Sequence, residues 1–188
     1  MQRAPGVVWV NDLNPWRATA GLWVNPRMIR EAVAGDFERL REIEVLAGEV
    51  FRTVGMDFIA DMPPPPVEVL AEFAGDGRCW VAVEDGVVGG YLLAEVVDEC
   101  AHVAQVSVDP RFRGRRLGAR LIDHLDAWAR ARGLAGLTLT TYRDLPWNGV
   151  YYAKIGFEVV EPTPGLAALV AHEAGLGLDP ALRVCMRR

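Results

Sequence analysis

A chain of 188 residues with 51% apolar and 24% charged side chains has the length of one domain and enough apolar residues to bury a core, which excludes an intrinsically disordered protein. Its net charge of −5 argues against non-specific nucleic-acid binding, which runs on excess positive charge. No apolar run approaches the roughly 20 residues of a membrane span and no basic-then-apolar leader opens the chain, so the expected partners include neither membrane nor nucleic acid and the expected location is the cytoplasm.

Residues 1–27 carry Trp9, Trp16 and Trp23 at seven-residue spacing, but Asn14-Pro15 and Asn25-Pro26 break any helix that would display them. They read as a poorly ordered N-terminal extension, and residues 28–188 as the domain. "MIREAVAGDF" from Met28 already reads as a domain's opening strand and helix cap, which raises the expectation that the natural chain starts there. From Asp36, an expected N-cap, apolar residues recur at Phe37, Leu40, Ile43, Ala47, Val50, Phe51 and Val54, predicting a helix to Gly55. "MDFIADMPPPP" predicts an exposed extended segment before a short helix near Val67–Ala74.

Asp85-Gly86 separates two strand-like runs and is the strongest hairpin signal in the chain. A third β run, Ala101–Val108, turns at Asp109-Pro110 into "PRFRGRRLGARL". Leu117, Leu121, Ile122, Leu125, Trp128 and Ala129 then mark one face of a helix to about Gly133, with Asp126 and Arg130 paired at i,i+4 on another. A strand at 136–142, a turn and short helix in "PWNGVYYAKIG", a strand in "FEVVE", a helix near Leu166–Ala174 and a last strand at Leu182–Arg187 complete a mixed α/β order. Cys79, Cys100 and Cys185 are odd in number and widely spaced, which predicts reduced thiols and no metal site.

The segment after the third β run is where chemistry is expected. A helix N-terminus exposes unpaired N–H groups and a positive dipole end, suited to a pyrophosphate. Here Gly114 and Gly118 permit close approach, and Arg111, Arg113, Arg115 and Arg116 add positive charge. The other reading is a solvated basic turn. Some 35 residues on stands "YYAKIGF".

These two motifs, in this order and spacing, resemble the GNAT acetyltransferase superfamily from Met28 to Arg188. Arg113 takes the family's first Arg/Gln place and Gly118 its last Gly/Ala place, while Arg116 stands where the family has a middle glycine. A right-handed conformation is expected at Arg116, since a positive φ would strain it. The resemblance implies a mostly antiparallel central sheet of six to seven strands flanked by about four helices. It implies acetyl-CoA as cosubstrate, no metal, and direct acetyl transfer to an amine of a small molecule, peptide or protein, with a homodimer left open. The alternative is a non-catalytic acyl-CoA-binding or regulatory module.

Carried over by motif, Arg113, Gly114, Arg115, Arg116, Leu117, Gly118 and Ala119 cradle the pyrophosphate. The backbone of Val106, Ser107 and Val108 lies along the pantetheine, where a bulge would free an N–H. Tyr152 is the expected proton donor to the departing thiolate, Tyr151 being read as a core or rim aromatic. The base is left among His102, Glu95 and a water chain. Asn148 is either a helix cap or a pantetheine contact, and Trp147 either an acceptor wall or packing. "FRTVGMDFIADMPPPP" and "TYRDLPWN" are the expected acceptor loops, with Glu49, Asp57 and Asp61 as candidate attractors of a cation and Phe51, Met56 and Phe58 as an apolar wall.

Overall fold

A computed structural model describes residues 27–188; but for Arg27, the expectation for residues 1–27 falls outside them. In chain order the elements are β1 (Arg27–Glu31), α1 (Phe37–Gly48), α2 (Asp57–Ala60), α3 (Val67–Gly75), β2 (Cys79–Glu84), β3 (Val87–Val97), β4 (Cys100–Val108), α4 (Leu117–Ala131), β5 (Leu137–Tyr142), α5 (Gly149–Lys154), β6 (Glu158–Val160), α6 (Pro164–Gly175) and β7 (Arg183–Arg187). The strands form one sheet in the order β1-β2-β3-β4-β5-β7-β6. Every pairing is antiparallel except β4 with β5. The mixed, mostly antiparallel sheet is as expected; two of the six helices are only four and six residues long.

Strand alternation sorts the core into two layers. On one face Leu92, Ala94, Ala101, Val103, Leu137 and Leu139 pack against Leu117, Leu121, Ile122 and Leu125 of α4. On the other, Val81, Val83, Tyr91 and Leu93 pack against Phe37, Leu40 and Ile43 of α1 and Leu70 of α3. β2 is buried at all six positions because helices cover both of its faces. That explains its unbroken apolar run Cys79–Val83 where a one-sided strand would alternate.

Asp85 and Gly86 both take positive φ, 52° and 80°, which suits the tight hairpin their sequence predicts. The β3–β4 turn uses Asp98 and Glu99 in the same region, φ 47° and 64°, without a glycine to announce it. Helix α1 tightens into a 3-10 turn over Glu49–Val54 and stops at Gly55, φ 71°, where a left-handed residue closes the last carbonyls. Asp36 does not cap α1 with its side chain. Its carboxylate turns back to Arg30, at 2.6 and 2.9 Å, and to the Val33 amide at 2.9 Å, because a bidentate charged partner outcompetes a helix amide.

One buried ion pair ties α1 to the turn after β4. Asp109 is fully buried and accepts from the Arg111 amide at 2.9 Å and the Arg111 guanidinium at 2.7 Å. It also accepts from Arg39 of α1, whose Nε donates to the Val88 carbonyl at 3.1 Å. The Arg111 hydrogen bonds, against the opposing effect of burial and with help from Arg39, hold this carboxyl well below the usual carboxylate range. Arg111 is two-thirds exposed and Arg39 one-fifth, so solvent screens the first far more. Truncation by Asp109→Ala should therefore cost about 1–3 kcal/mol, since Arg39 loses its buried partner and keeps the exposed Glu42 at 3.0 Å and the Val88 carbonyl. Because the folded-state value is depressed, this stability is complete above the unfolded carboxylate's value of about 4 and is lost as pH falls below it. Urea unfolding of both proteins at neutral and acidic pH checks this: the gap between them should narrow in acid.

Candidate active site

The strands β4 and β5 are paired only at Ala101 with Leu137 and His102 with Thr138. Beyond these two pairs they part, and the gap opens into a cleft of about 840 Å³. Val103–Val108 line one side and Leu139–Tyr142 the other. The register of β4 against β3 also shifts between Leu93 and Ala94, which face Gln105 and Val103. Ala104 is thus an extra residue, a bulge two positions earlier than the 106–108 stretch in which it was expected, and it bends β4 away from β5.

Alternation places different groups at the two mouths. Gln105 and Ser107 face α1, where Gln105 Nε2 donates to Glu44 at 2.8 Å and Ser107 Oγ at 2.7 Å, joined by Tyr91 Oη at 2.6 Å. Thr140, on the same face, donates to Glu173 of α6 at 2.6 Å. On the opposite face lie the start of α4 and the two tyrosines of α5.

The start of α4 is built as an open turn. Gly114 has φ 81° and a Cβ there would meet nothing within 4 Å, so the space beside its backbone is free. The N–H groups of Gly114, Arg116, Leu117 and Gly118 have no acceptor among the described residues. Phe112 and Leu117 rest on Gly89, where any Cβ would come within 3.0 and 2.9 Å of them, so the glycine sets how deeply the turn seats. Arg116 adopts φ 60°, ψ 26°, a left-handed conformation and not the right-handed one expected. The chain holds the position a glycine would favour and absorbs a cost of about 1–2 kcal/mol.

The arginines divide by partner. Arg111 is held by Asp109, while Arg115 pairs with Asp85 at 3.2 Å and Arg120 with Glu84 at 3.0 Å. Arg115 thereby turns away from the cleft, whereas Arg113 and Arg116 line it and make no ion pair among the described residues. Leu117, Gly118, Ala119, Val106, Ser107 and Val108 line it too, as does Asn148.

Tyr152 lines the cleft with a hydroxyl that makes no hydrogen bond among the described residues. It packs on Tyr151 and Phe157 with ring centroids 5.5 and 5.7 Å away, and burial pushes its phenol well above the ordinary value. Tyr151 also lines the cleft, with its hydroxyl at the Gly118 and Ala119 end of α4. Asn148 does not cap α5 through its side chain: Nδ2 donates to Thr141 at 2.9 Å. Its Oδ1 and the Nε1 of Trp147 are buried without a partner among the described residues, and both residues line the cleft.

His102 and Glu95 are not among the lining residues. They face each other across β3 and β4. His102 is buried against Thr138 Oγ1 at 3.1 Å, and burial lowers its value to about 4, as expected of a neutral structural imidazole. Glu49, Asp57 and Asp61 all bond to Arg52, so this surface is neutralised from within. Phe51 lines the cleft and meets Trp147 edge-on at 6.0 Å, whereas Phe58 is half exposed outside it. The residue that sequence reasoning missed is Glu44. Its signal was its place on the apolar stripe of α1, four residues after Leu40 and three before Ala47, where a lone carboxylate demands a reason.

A parted parallel pair beside an open, basic helix start can seat an extended ligand that carries a phosphate. The family model described as "Acetyltransferase (GNAT) family" matches residues 40–157, and the chain belongs to that family, whose class is acyl-CoA-dependent N-acyltransferase. It is 42% identical over 83 residues to mouse N-alpha-acetyltransferase 80, a match covering 43% of this chain and 25% of that protein. The match thus spans about a quarter of that relative's length. Among solved structures it is similar to PaiA N-acetyltransferase from Thermoplasma acidophilum in complex with coenzyme A, with a TM-score of 0.65, 15% identity, and coverage of 86% of this chain and 98% of that one. A GNAT acetyltransferase from Brucella melitensis in complex with acetyl-CoA matches at 0.52, 25% identity, and 74% and 90%.

The strain at Arg116 has a measurable consequence. Arg116→Gly should raise unfolding stability by about 0.5–1 kcal/mol, the relieved strain less the greater freedom of glycine in the unfolded chain. Arg116→Val, which branches at Cβ, should lower stability. Equilibrium denaturation of the three proteins decides it, and equal stabilities would contradict the left-handed assignment.

Proposed function

We propose that this chain transfers the acetyl group of acetyl-CoA to a primary amine of a small molecule, peptide or protein. The observation that carries the reading is one cleft running through the sheet, from an open helix start with two uncompensated guanidiniums to a carboxylate held only by neutral donors. The orphaned buried atoms of Trp147 and Asn148 fit a ligand that carries amides, as pantetheine does, since buried polar atoms are normally satisfied.

When bound, acetyl-CoA supplies an activated thioester. The free N–H groups of Gly114 and Arg116–Gly118 hold its diphosphate, with Arg113 and Arg116 adding charge. Backbone of the bulged β4 edge, unmatched by β5, holds the pantetheine and turns an N–H to the carbonyl oxygen. Glu44 receives the ammonium, because it is the lining carboxylate without a cationic partner, and takes its proton so that nitrogen can attack. The new C–N bond forms as the C–S bond breaks, Tyr152 donates its phenolic proton to the departing thiolate, and the second proton shed by the acylated nitrogen restores the phenol. Burial raises the Tyr152 phenol, so it is protonated across the neutral range before the thiolate departs.

A panel of amines assayed for thiol release tests the reading. The wild type should release coenzyme thiol; Tyr152→Phe and Glu44→Gln should each lower turnover by about 10²-fold, and Arg113→Glu should raise the KM for acetyl-CoA about tenfold. Tight coenzyme binding with no thiol release on any amine would instead favour a non-catalytic acyl-CoA-binding module.

A further inference from the structure

Three carboxylates line the cleft, Glu44, Asp109 and Glu173, and their partners differ in kind. Asp109, at the coenzyme end, is neutralised by Arg39 and Arg111. Among the described residues Glu44 has only the neutral donors Tyr91, Gln105 and Ser107. Glu173 is on the same face as Glu44, since Thr140, which it binds, alternates with the α4-facing Leu139. Arg183 of β7 grips it with two bonds, Nε to Oε2 at 3.1 Å and Nη2 to Oε1 at 2.8 Å. Arg183 also reaches Thr140 Oγ1 at 3.1 Å and lies over the Tyr142 ring with its guanidinium carbon 5.1 Å from the centroid. Both side chains are largely buried, 9% and 20% exposed, so the pair is locked from three sides. Apolar side chains also line the cleft, among them Phe51, Ile59, Met62 and the Pro63–Pro66 run.

We infer that Arg183 is a specificity-determining residue: by masking Glu173 it leaves one uncompensated carboxylate on the acceptor side and restricts the acceptor to a monocationic amine on an apolar carrier. A diamine would place its second ammonium against apolar walls or a neutralised pair, where its lost hydration is not repaid. An alkyl or aryl monoamine satisfies Glu44 and buries its carrier. Arg183 acts through Glu173, so it is a positioning residue for the specificity of the site. This inference rests on the proposed acetyl transfer and refines its substrate.

The test compares hexylamine with 1,6-diaminohexane, using kcat/KM from thiol release and, independently of turnover, affinity from calorimetry on the full chain. The wild type should favour the monoamine by about tenfold, or about 1.4 kcal/mol. Arg183→Gln unmasks Glu173 and should cut that preference at least about fivefold by tightening the diamine. Arg183→Lys, which keeps a cation on Glu173, should retain the wild-type ratio, and adding Glu173→Gln to Arg183→Gln should abolish the gain. A fold defect alone would weaken both amines together and leave the ratio unmoved. Should Arg183→Gln not fold, Glu173→Gln alone leaves the guanidinium uncompensated and should weaken both amines, the diamine more. A wild type that prefers the diamine, or a folded Arg183→Gln variant whose ratio stays within about twofold of the wild type, overturns the inference. If no amine releases thiol, the calorimetric ratios still decide the matter, and the failure counts against acetyl transfer and not against the masking of Glu173.

Discussion

A parallel pair of strands held at only two residue positions cannot stay closed along its length, and the rest of this structure is arranged around that parting. The twist of a sheet grows strand by strand. Adding one residue to β4 at Ala104 bends it further from β5. The backbone groups that a full ladder would have satisfied are left facing a cleft, in a sheet whose other pairings are extensive. Buried backbone polar groups without partners are costly, so an open seam of this kind in the middle of a sheet reads as provision for a ligand chain lying along it. α4 crosses between the parted strands and therefore must begin at the mouth of the cleft, which is where the open turn lies.

Charge then divides the cleft end from end. At the start of α4 five arginines occur within ten residues, yet acidic neighbours draw three of them outward and leave Arg113 and Arg116. On the far face Glu44 is, among the described residues, the lining carboxylate without a cation, because Arg183 cancels Glu173. Under the proposed acetyl transfer, an anionic diphosphate and a cationic amine would be received at opposite faces, with their reactive ends meeting in the gap between β4 and β5. Neither sign dominates the whole surface, and the chain's net charge of −5 says little about either mouth.

Much of this was legible in local sequence. The Asp85-Gly86 hairpin, the α4 stripe and the basic glycine turn followed by "YYAKIGF" rest on periodicity and turn chemistry, which act over a few residues. The family likeness of the last two motifs further implied the sheet. What escaped depends on contacts far apart in the chain. Glu44 meets Ser107 across 63 residues and Arg115 finds Asp85 across 30, so no spacing rule could sort the paired arginines from the free ones. His102 lay near the right place along β4, but alternation points it to Thr138, and on a strand one position exchanges the cleft for the core. Arg116 was misread because avoidance of strain was weighed locally, whereas Leu117 and Phe112 seated on Gly89 fix the turn from outside.

The same dependence on distant contacts explains why α1, which supplies no motif, matters as much as α4. Arg39 fastens it to Asp109 and the Val88 carbonyl, and Glu44, five residues later, fastens it to Tyr91, Gln105 and Ser107. Two anchors about 7.5 Å apart along a helix fix its rotation as well as its position, and each anchor uses a residue that lines the cleft. One belongs to the turn before α4 and the other to the face of β4 that packs on α1. The extension of α1 into the tight turn at Glu49–Val54 carries Phe51 against Tyr142 and Trp147. Helix α1 in this way fixes the position of Glu44 relative to the Asp109 turn, a spacing that neither motif specifies.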